Sequence, residues 1–340
     1  PNLNIYAVDN LSQAIDFFLN VDKEIYRVKN ADFKYNFTEV KGVKYFYTQH
    51  YPINFDEVKG QTIAKRAGLI SAVGNHNILF EGSPGCGKSM ISKRLQYIMP
   101  PMSLEDILDK AKLDSLQVKE PDFTPIRNFV SPHHSSTKAS IIGGTKIGEV
   151  SLANGGILFF DELPHFSKSI LESLREPLED HTVLVSRVNT KIKYPTKFLF
   201  VSAMNPCPCG NLLSKRKACR CSEREIKRYK NRLSDPFLDR IDLFVVMQEI
   251  SAEDKKGISS KEMKIAVNNV FVLQKERGQK RLNGKLTENE IEKFCQLSSQ
   301  AQKILFSAIE RFGLSHRSLG SIKKVARTIA DLANSKTIEK

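Results

Sequence analysis

The 340 residues predict an α/β protein in which a core built on a parallel sheet is followed by a separate all-helical domain. Three observations predict it. An apolar run, Ile78-Leu79-Phe80, feeds a glycine-rich loop whose far end continues as a helix. Two more apolar runs, Gly156 to Phe160 and Lys197 to Ala203, lack polar alternation, as strands buried on both faces of a parallel sheet require. From Lys261 onward apolar positions recur at helical spacing through 261–277, 287–296, 298–311 and 315–333, with hardly any strand signal.

In chain order, residues 1–50 carry an amphipathic helix on Leu11, Ile15, Phe18 and Leu19, then an aromatic stretch through Tyr35, Phe37, Tyr45, Phe46 and Tyr47. No chemistry is visible there. The segment is expected to be the tail of a preceding domain plus a linker, and a chain starting at Pro1 rather than Met is expected to be a fragment. Phe55 to Gln61 then leads into a helix over Thr62 to Gly74, with Ile63, Ala67 and Ile70 on one face.

Gly82-Ser83-Pro84-Gly85-Cys86-Gly87-Lys88-Ser89 matches G-x-x-x-x-G-K-[ST] in the strand-to-helix setting that gives the pattern meaning. A triphosphate packs several negative charges into a small volume. Glycines let backbone N–H groups approach it, and the helix start adds unpaired N–H groups and a positive dipole end. Lys88 is expected on the β and γ phosphates, and the Ser89 hydroxyl on Mg²⁺.

A helix is expected over 103–117 and a short strand over Ile126 to Val130, before Ser131-Pro132-His133-His134. Adjacent histidines on an extended segment point to opposite sides, a poor two-ligand metal site, so packing or hydrogen bonding is expected of them. The strand Gly156 to Phe160 closes on Asp161-Glu162, at the sheet edge where ligands of such folds collect. Asp161 is expected to hold the Mg²⁺, directly or through water, and Glu162 to polarise the attacking water. The competing reading is a capping Asp for the helix Lys168 to Leu178.

A β-hairpin is expected over Val183 to Val188 and Thr190 to Tyr194, turning near Asn189 and studded with Arg187, Lys191 and Lys193. The strand Lys197 to Ala203 ends at Met204-Asn205-Pro206, which puts Asn205 at the same edge as Asp161. There it would orient water at the γ phosphate, unless it is only a turn residue before proline. Cys207, Cys209, Cys219 and Cys221 form two C-x-C pairs flanking a stretch rich in Lys and Arg. Four thiols on a segment with almost no apolar content can close a tetrahedral Zn²⁺ site; an iron–sulfur cluster or four reduced thiols fit the same spacing. Cys86 and Cys295 are unpaired, Cys86 as a small residue in the loop. A very basic helix over Ser222 to Leu233 and a last strand at Leu243 to Met247 complete the core. The final helix starts near Arg317.

Fifty-two Lys and Arg against 38 Asp and Glu leave a formal charge of +14, which favours an anionic partner larger than one nucleotide or, equally, a solvated basic surface. No apolar run approaches the roughly 20 residues of a membrane span, so a cytoplasmic protein without a membrane partner is expected. The expected domains are a remnant and linker (1–50), an α/β core with insertions (51–249) and a helical lid (250–340).

With the core and lid, SPHH, GEVSLANGGILFFDELPHF, LREPLED, AMNPCPCG, CRC, RLSDPFLDRIDL and SHRSLGSIKKVARTIADLA resemble the magnesium-chelatase-like ComM/YifB family of AAA+ ATPases over about residues 3 to 335. The resemblance implies an N-terminal Lon-like domain ahead of Pro1. It makes Gly82 to Ser89 the Walker A loop, Asp161 and Glu162 the Walker B pair, and Asn205 sensor 1. Arg240 matches an arginine finger given to a neighbouring subunit, and Arg317 matches sensor 2, which could swing onto the nucleotide. A finger in trans implies a homo-hexameric ring. Ser140 to Asn154 and the 181–196 hairpin sit where relatives carry pore insertions, so Lys146, Arg187, Lys191 and Lys193 would face a threaded strand.

By this resemblance the chain would bind ATP and Mg²⁺ and act on single-stranded, double-stranded or branched DNA, as a helicase or branch-migration motor in natural transformation and recombination. The alternative is a chelatase-type motor that remodels a protein partner during metal insertion. The basic hairpin, the cysteines and the net charge favour the first.

Overall fold

The computed structural model describes residues 5–19, 22–27, 33–117, 120–186, 191–251 and 257–339. They fall into two units, Pro1–Tyr35 and Asn36–Lys340. In the first, helix α1 (Leu11–Leu19) sets Phe17 against Tyr6 and Tyr26, with ring centroids 5.0 and 5.9 Å away.

The second unit opens with an antiparallel hairpin, β1 (Asn36–Val40) and β2 (Val43–Tyr47), turned by Lys41-Gly42 with both residues at positive φ, the twist-compatible two-residue turn. Helix α2 (Thr62–Gly74) leads to β3 (Ile78–Gly82), the glycine loop and α3 (Lys88–Ile98). The short β4 (Met102–Ser103) pairs back onto β2, and α4 (Leu104–Ser115) follows with a Ser103–Asp106 capping box.

Next come β5 (Phe129–Val130), α5 (Lys138–Ile142), α6 (Glu149–Leu152), β6 (Ile157–Phe160), α7 (Lys168–Ser173) and α8 (Arg175–Asp180). The hairpin is β7 (Thr182–Ser186) and β8 (Lys191–Pro195), in register from Thr182↔Pro195 to Ser186↔Lys191. Then follow β9 (Leu199–Met204), α9 (Glu223–Lys230), α10 (Asp235–Leu238), β10 (Leu243–Met247), and the helices α11 (Ser260–Glu276), α12 (Glu288–Phe294), α13 (Ser299–Phe312) and α14 (His316–Leu332).

The main sheet is parallel throughout, in the order β10-β3-β9-β6-β5. Its central strands are buried on both faces. Ile78, Phe80, Phe159 and Val201 pack with α2, α3 and α11, while Leu79, Leu158, Phe160 and Phe200 pack against α7, α9 and α10. Two covered faces explain why these strands read as unbroken apolar runs. Within the stretch expected as remnant and linker, β1 and β2 instead join β4 in a second sheet, with Tyr45 edge-on to Phe271 of α11 at 4.9 Å.

Helix α14 packs on α2 and α11 on both α2 and α3, and a buried polar network ties the C-terminal helices to one another and to His76. Thr328 meets the His76 ring at 2.7 Å, Arg277 grips Asp331 with two bonds of 3.0 and 2.7 Å, and Asn283 donates to Asp331 at 2.8 Å. Burial pushes His76 down to about 4, so the ring is neutral there.

Candidate active site

The glycine loop is shaped by close approach. A Cβ on Gly82 would lie 2.7 Å from Cys86 Sγ and 2.9 Å from the Met247 carbonyl, while Gly85 and Gly87 sit at φ +81° and +95°. Cys86 is buried against Gly82, and burial raises its thiol pKa. Ser83 and Pro84 complete the loop; Gln61, at φ +52°, ties it to the segment that follows β10 by donating to the carbonyls of Cys86 (3.0 Å) and Gln248.

Lys88 begins α3 and turns its ammonium back over the loop. Its acceptors are the carbonyls of Gly82 and Ser83 (3.1 Å) and the side-chain oxygen of Asn205 (3.0 Å), all uncharged. Burial lowers the Lys88 pKa, and the carboxylates of Asp161 and Glu162 nearby act in the opposite sense. A buried ammonium held by neutral acceptors is poised for an anion. Beside it, the Ser89 hydroxyl donates to Asp161 at 2.7 Å. A hydroxyl and a carboxylate on adjacent elements are the oxygen donors a magnesium ion takes together with phosphate and water. Lys88, Ser89, Asp161 and Asn205, far apart in sequence, therefore meet at the carboxyl edge of β3, β6 and β9.

Glu162 follows Asp161 in a left-handed conformation, φ 51° and ψ 47°, and its backbone N–H donates to Asp161 at 3.0 Å. That backbone costs a non-glycine residue about 1 kcal/mol, and it turns an exposed carboxylate out of the strand at the same edge.

Arg240 and Arg317 lie elsewhere. Both guanidinium groups bond Glu179, at the end of α8. The Arg240 carbonyl accepts from the Asn77 side chain at 2.8 Å, and Asp242 accepts from the Asn77 backbone at 2.9 Å. Asn77 precedes β3, so this arginine pair sits at the amino edge of the sheet. The loop lies at the carboxyl edge, about 16 Å away along five residues of strand. Arg317, expected as the residue that could swing onto the nucleotide, is placed within the chain at the opposite edge from the loop, because α14 packs against α2. Arg240 lies at that same edge, its side chain largely buried against Glu179.

The same edge holds a cavity of about 590 Å³ lined by Arg281, Lys285, His181 and Lys324 as well as the two arginines. Burial pushes Lys285 down to about 8 and lowers Lys324, despite Asp242 beside both. Their place on helical segments of ordinary composition hid them from sequence reasoning.

Lys146, Lys191 and Lys193 are exposed. Their segments adjoin, since a Cβ on Gly143 would lie 3.0 Å from the Val185 side chain. Arg187 and the turn at Asn189 lie outside the described residues. His133 and His134 do not point apart: a turn closed by Ser136 N–H to His133 O (2.9 Å) brings their rings within 4.2 Å, and His165 lies 6.0 Å beyond His134. Cys207, Cys209, Cys219 and Cys221 converge, every pair of sulfurs within 4.8 Å. Among the described residues no helix is long and apolar enough to cross a membrane.

Comparison with known proteins matches residues 54–255 to the family described as magnesium chelatase, subunit ChlI, and residues 257–340 to its C-terminal counterpart. The chain is 40% identical over 296 residues to the competence protein ComM of Haemophilus influenzae, covering 84% of this chain and 58% of that protein. It is 41% identical over 290 residues to YifB of Salmonella typhimurium (81% and 56%) and 40% identical over 298 residues to YifB of Escherichia coli (84% and 58%). The chain spans a little over half the length of these relatives.

Proposed function

Because the chain belongs to the magnesium chelatase ChlI family of AAA+ ATPases, we propose that it hydrolyses ATP at a site shared between neighbouring subunits of a ring and uses the energy to move DNA. The convergence of Lys88, Ser89, Asp161 and Asn205 at one sheet edge carries the hydrolytic part of this reading. In it, Lys88 neutralises the β and γ phosphates, for which its buried, uncharged surroundings suit it. Ser89 and Asp161 would hold Mg²⁺, which when bound would supply charge neutralisation for the phosphates. Glu162 accepts a proton from the attacking water, and Asn205, bonded to Lys88, orients that water on the γ phosphate.

Charge developing at the leaving oxygens needs a further cation. Arg240 and Arg317, both at the far sheet edge, reach a nucleotide only if it belongs to the next chain, and this is why a ring, proposed as a hexamer, is part of the reading. In the free chain Glu179 holds both arginines and occupies their charge until a neighbour's phosphates replace it.

DNA as the substrate rests on the similarity to a competence protein and on the net charge of +14. Helicase or branch-migration activity in transformation and recombination, with Lys146, Lys191, Lys193 and Arg187 along the path of the strand, is the form we propose. The second reading, a motor that remodels a protein partner in metal insertion, is favoured by the family description itself. ATP turnover with and without single-stranded, double-stranded and four-way-junction DNA separates them. Stimulation by DNA that fades with added salt supports the first; indifference to all three DNAs rejects it. The cysteine cluster is proposed as a Zn²⁺ site, and the core and lid boundaries at 51–249 and 250–340 are proposed with it; the linker expected over 1–50 ends by Tyr35, since β1 and β2 belong to the second unit.

A further inference from the structure

The cysteine-bearing segment is a wall of the candidate ATP site. It leaves β9 at Asn205, the residue bonded to Lys88, and Cys207 follows two positions on, fully buried. Gly210, at φ +76°, presses on the glycine loop: a Cβ there would meet Pro84 Cδ at 2.6 Å and Cγ at 2.8 Å. Ser214 Oγ and the Lys215 N–H both donate to Glu249, the Lys215 bond at 3.2 Å; Glu249 follows Gln248, whose carbonyl Gln61 also ties to Cys86. Past Cys221 the chain enters α9, which buries Tyr229 against the Asn205 backbone. The segment thus touches the site at Pro84, at Asn205 and at the Gln61 tie.

Packing does not hold this segment in shape. Leu212 and Leu213 are exposed, and the other residues from 210 to 220 are polar, charged or glycine apart from Ala218 and Cys219. The thiols do the holding. Sγ of Cys207 is 3.5 Å from that of Cys209 and 3.7 Å from that of Cys219, and Cys209 to Cys219 is 3.7 Å. A disulfide would need about 2.05 Å. A tetrahedron of sulfurs about 2.3 Å from a zinc ion has edges of about 3.8 Å. Four thiolates around one divalent ion carry a net double negative charge, and the segment between the cysteine pairs carries Lys215, Arg216 and Lys217, with Arg220 between Cys219 and Cys221.

We propose that Cys207, Cys209, Cys219 and Cys221 bind one structural Zn²⁺, and that the closed loop braces Pro84 and Asn205, so that zinc loading sets how tightly the glycine loop holds a nucleoside triphosphate. The proposal rests on the reading of that loop as the ATP site.

The test measures zinc, iron and acid-labile sulfide in the purified chain, together with binding of N-methylanthraniloyl-ATP, for the parent, Cys219→Ser/Cys221→Ser, Gly210→Ala and Lys88→Ala. Expected are one zinc per chain in the parent, loss of zinc with at least about tenfold weaker nucleotide binding in the double variant, and a similar weakening in Gly210→Ala with zinc retained. Gly210→Ala leaves every thiol in place, so it decides the brace even if the double variant does not fold. Zinc far below one per chain, iron with sulfide in its place, or parent-like binding in a folded zinc-free variant or in Gly210→Ala overturns the proposal. Undiminished binding by Lys88→Ala would instead sink the reading of the ATP site itself.

Discussion

Mixing two inactive variants tests whether the arginines act across an interface. Lys88→Ala removes the buried ammonium from the glycine loop but leaves Arg240 and Arg317 at the other sheet edge; Arg317→Ala does the reverse. With about 16 Å of β3 between the edges, longer than an arginine side chain, each chain's site is, on the proposed reading, completed by its neighbour. When the two variants are mixed in equal amounts before assembly, an interface is whole if the loop comes from an Arg317→Ala chain and the arginine from a Lys88→Ala chain. Each condition holds for half the chains, so about one quarter of the interfaces regain activity. Separately, each variant should be depressed by about 10³-fold, the scale of an arginine acting on a transferring phosphoryl group. Steady-state ATP turnover across mixing ratios should peak near equal amounts. A mixture no more active than the sum of its parts would refute the trans placement of Arg317 and the ring built on it.

Glu162→Gln should bind ATP like the parent and lose turnover by about 10²-fold or more, read by nucleotide binding beside phosphate release; unchanged turnover removes Glu162 as the base. Replacing Lys146, Lys191 and Lys193 together by Ala should flatten the dependence of log affinity on log salt for single-stranded DNA by about two, at roughly 0.7 per lost phosphate contact; an unchanged slope takes them off the DNA path. Burial pushes the Lys264 ammonium from 10.5 down to about 7, where it donates to the Met99 carbonyl. Between those values the unfolded chain binds more protons at this residue than the folded one. Its penalty is therefore full below about pH 7 and fades as pH rises toward 10, adding up to about 1.4 kcal/mol per pH unit to the slope of stability. Lys264→Met should remove that increment in denaturant titrations across pH 7 to 10; identical slopes for variant and parent would contradict the buried-amine account.

Local chemistry made part of this protein legible in one dimension. The glycines around Lys88 announce their conformation because only glycine tolerates it, and the runs Ile157–Phe160 and Leu199–Met204 announce a sheet covered on both faces because they lack polar alternation, the buried Ser202 being satisfied by donating to the Ile78 carbonyl. Strand direction then puts Asp161 and Asn205 at the loop's edge of that sheet. The hairpin of β1 and β2 gave a weaker signal, since Lys41-Gly42 lacks the usual Asn-Gly or Asp-Gly and its aromatic residues serve packing on α11. The left-handed backbone of Glu162 gave none, being imposed by its surroundings against its own preference.

Residue identity and strand order thus determined the glycine loop and the sheet edge at which Asp161 and Asn205 meet it. Tertiary packing alone decided which sheet edge receives Arg317, that Glu179 joins it to Arg240, and that the cysteine segment bears on Pro84. The physical reason is reach: periodicity and spacing act over a few residues along the chain, whereas the docking of α14 on α2 and of Gly210 on the glycine loop depends on buried contacts between segments more than a hundred residues apart.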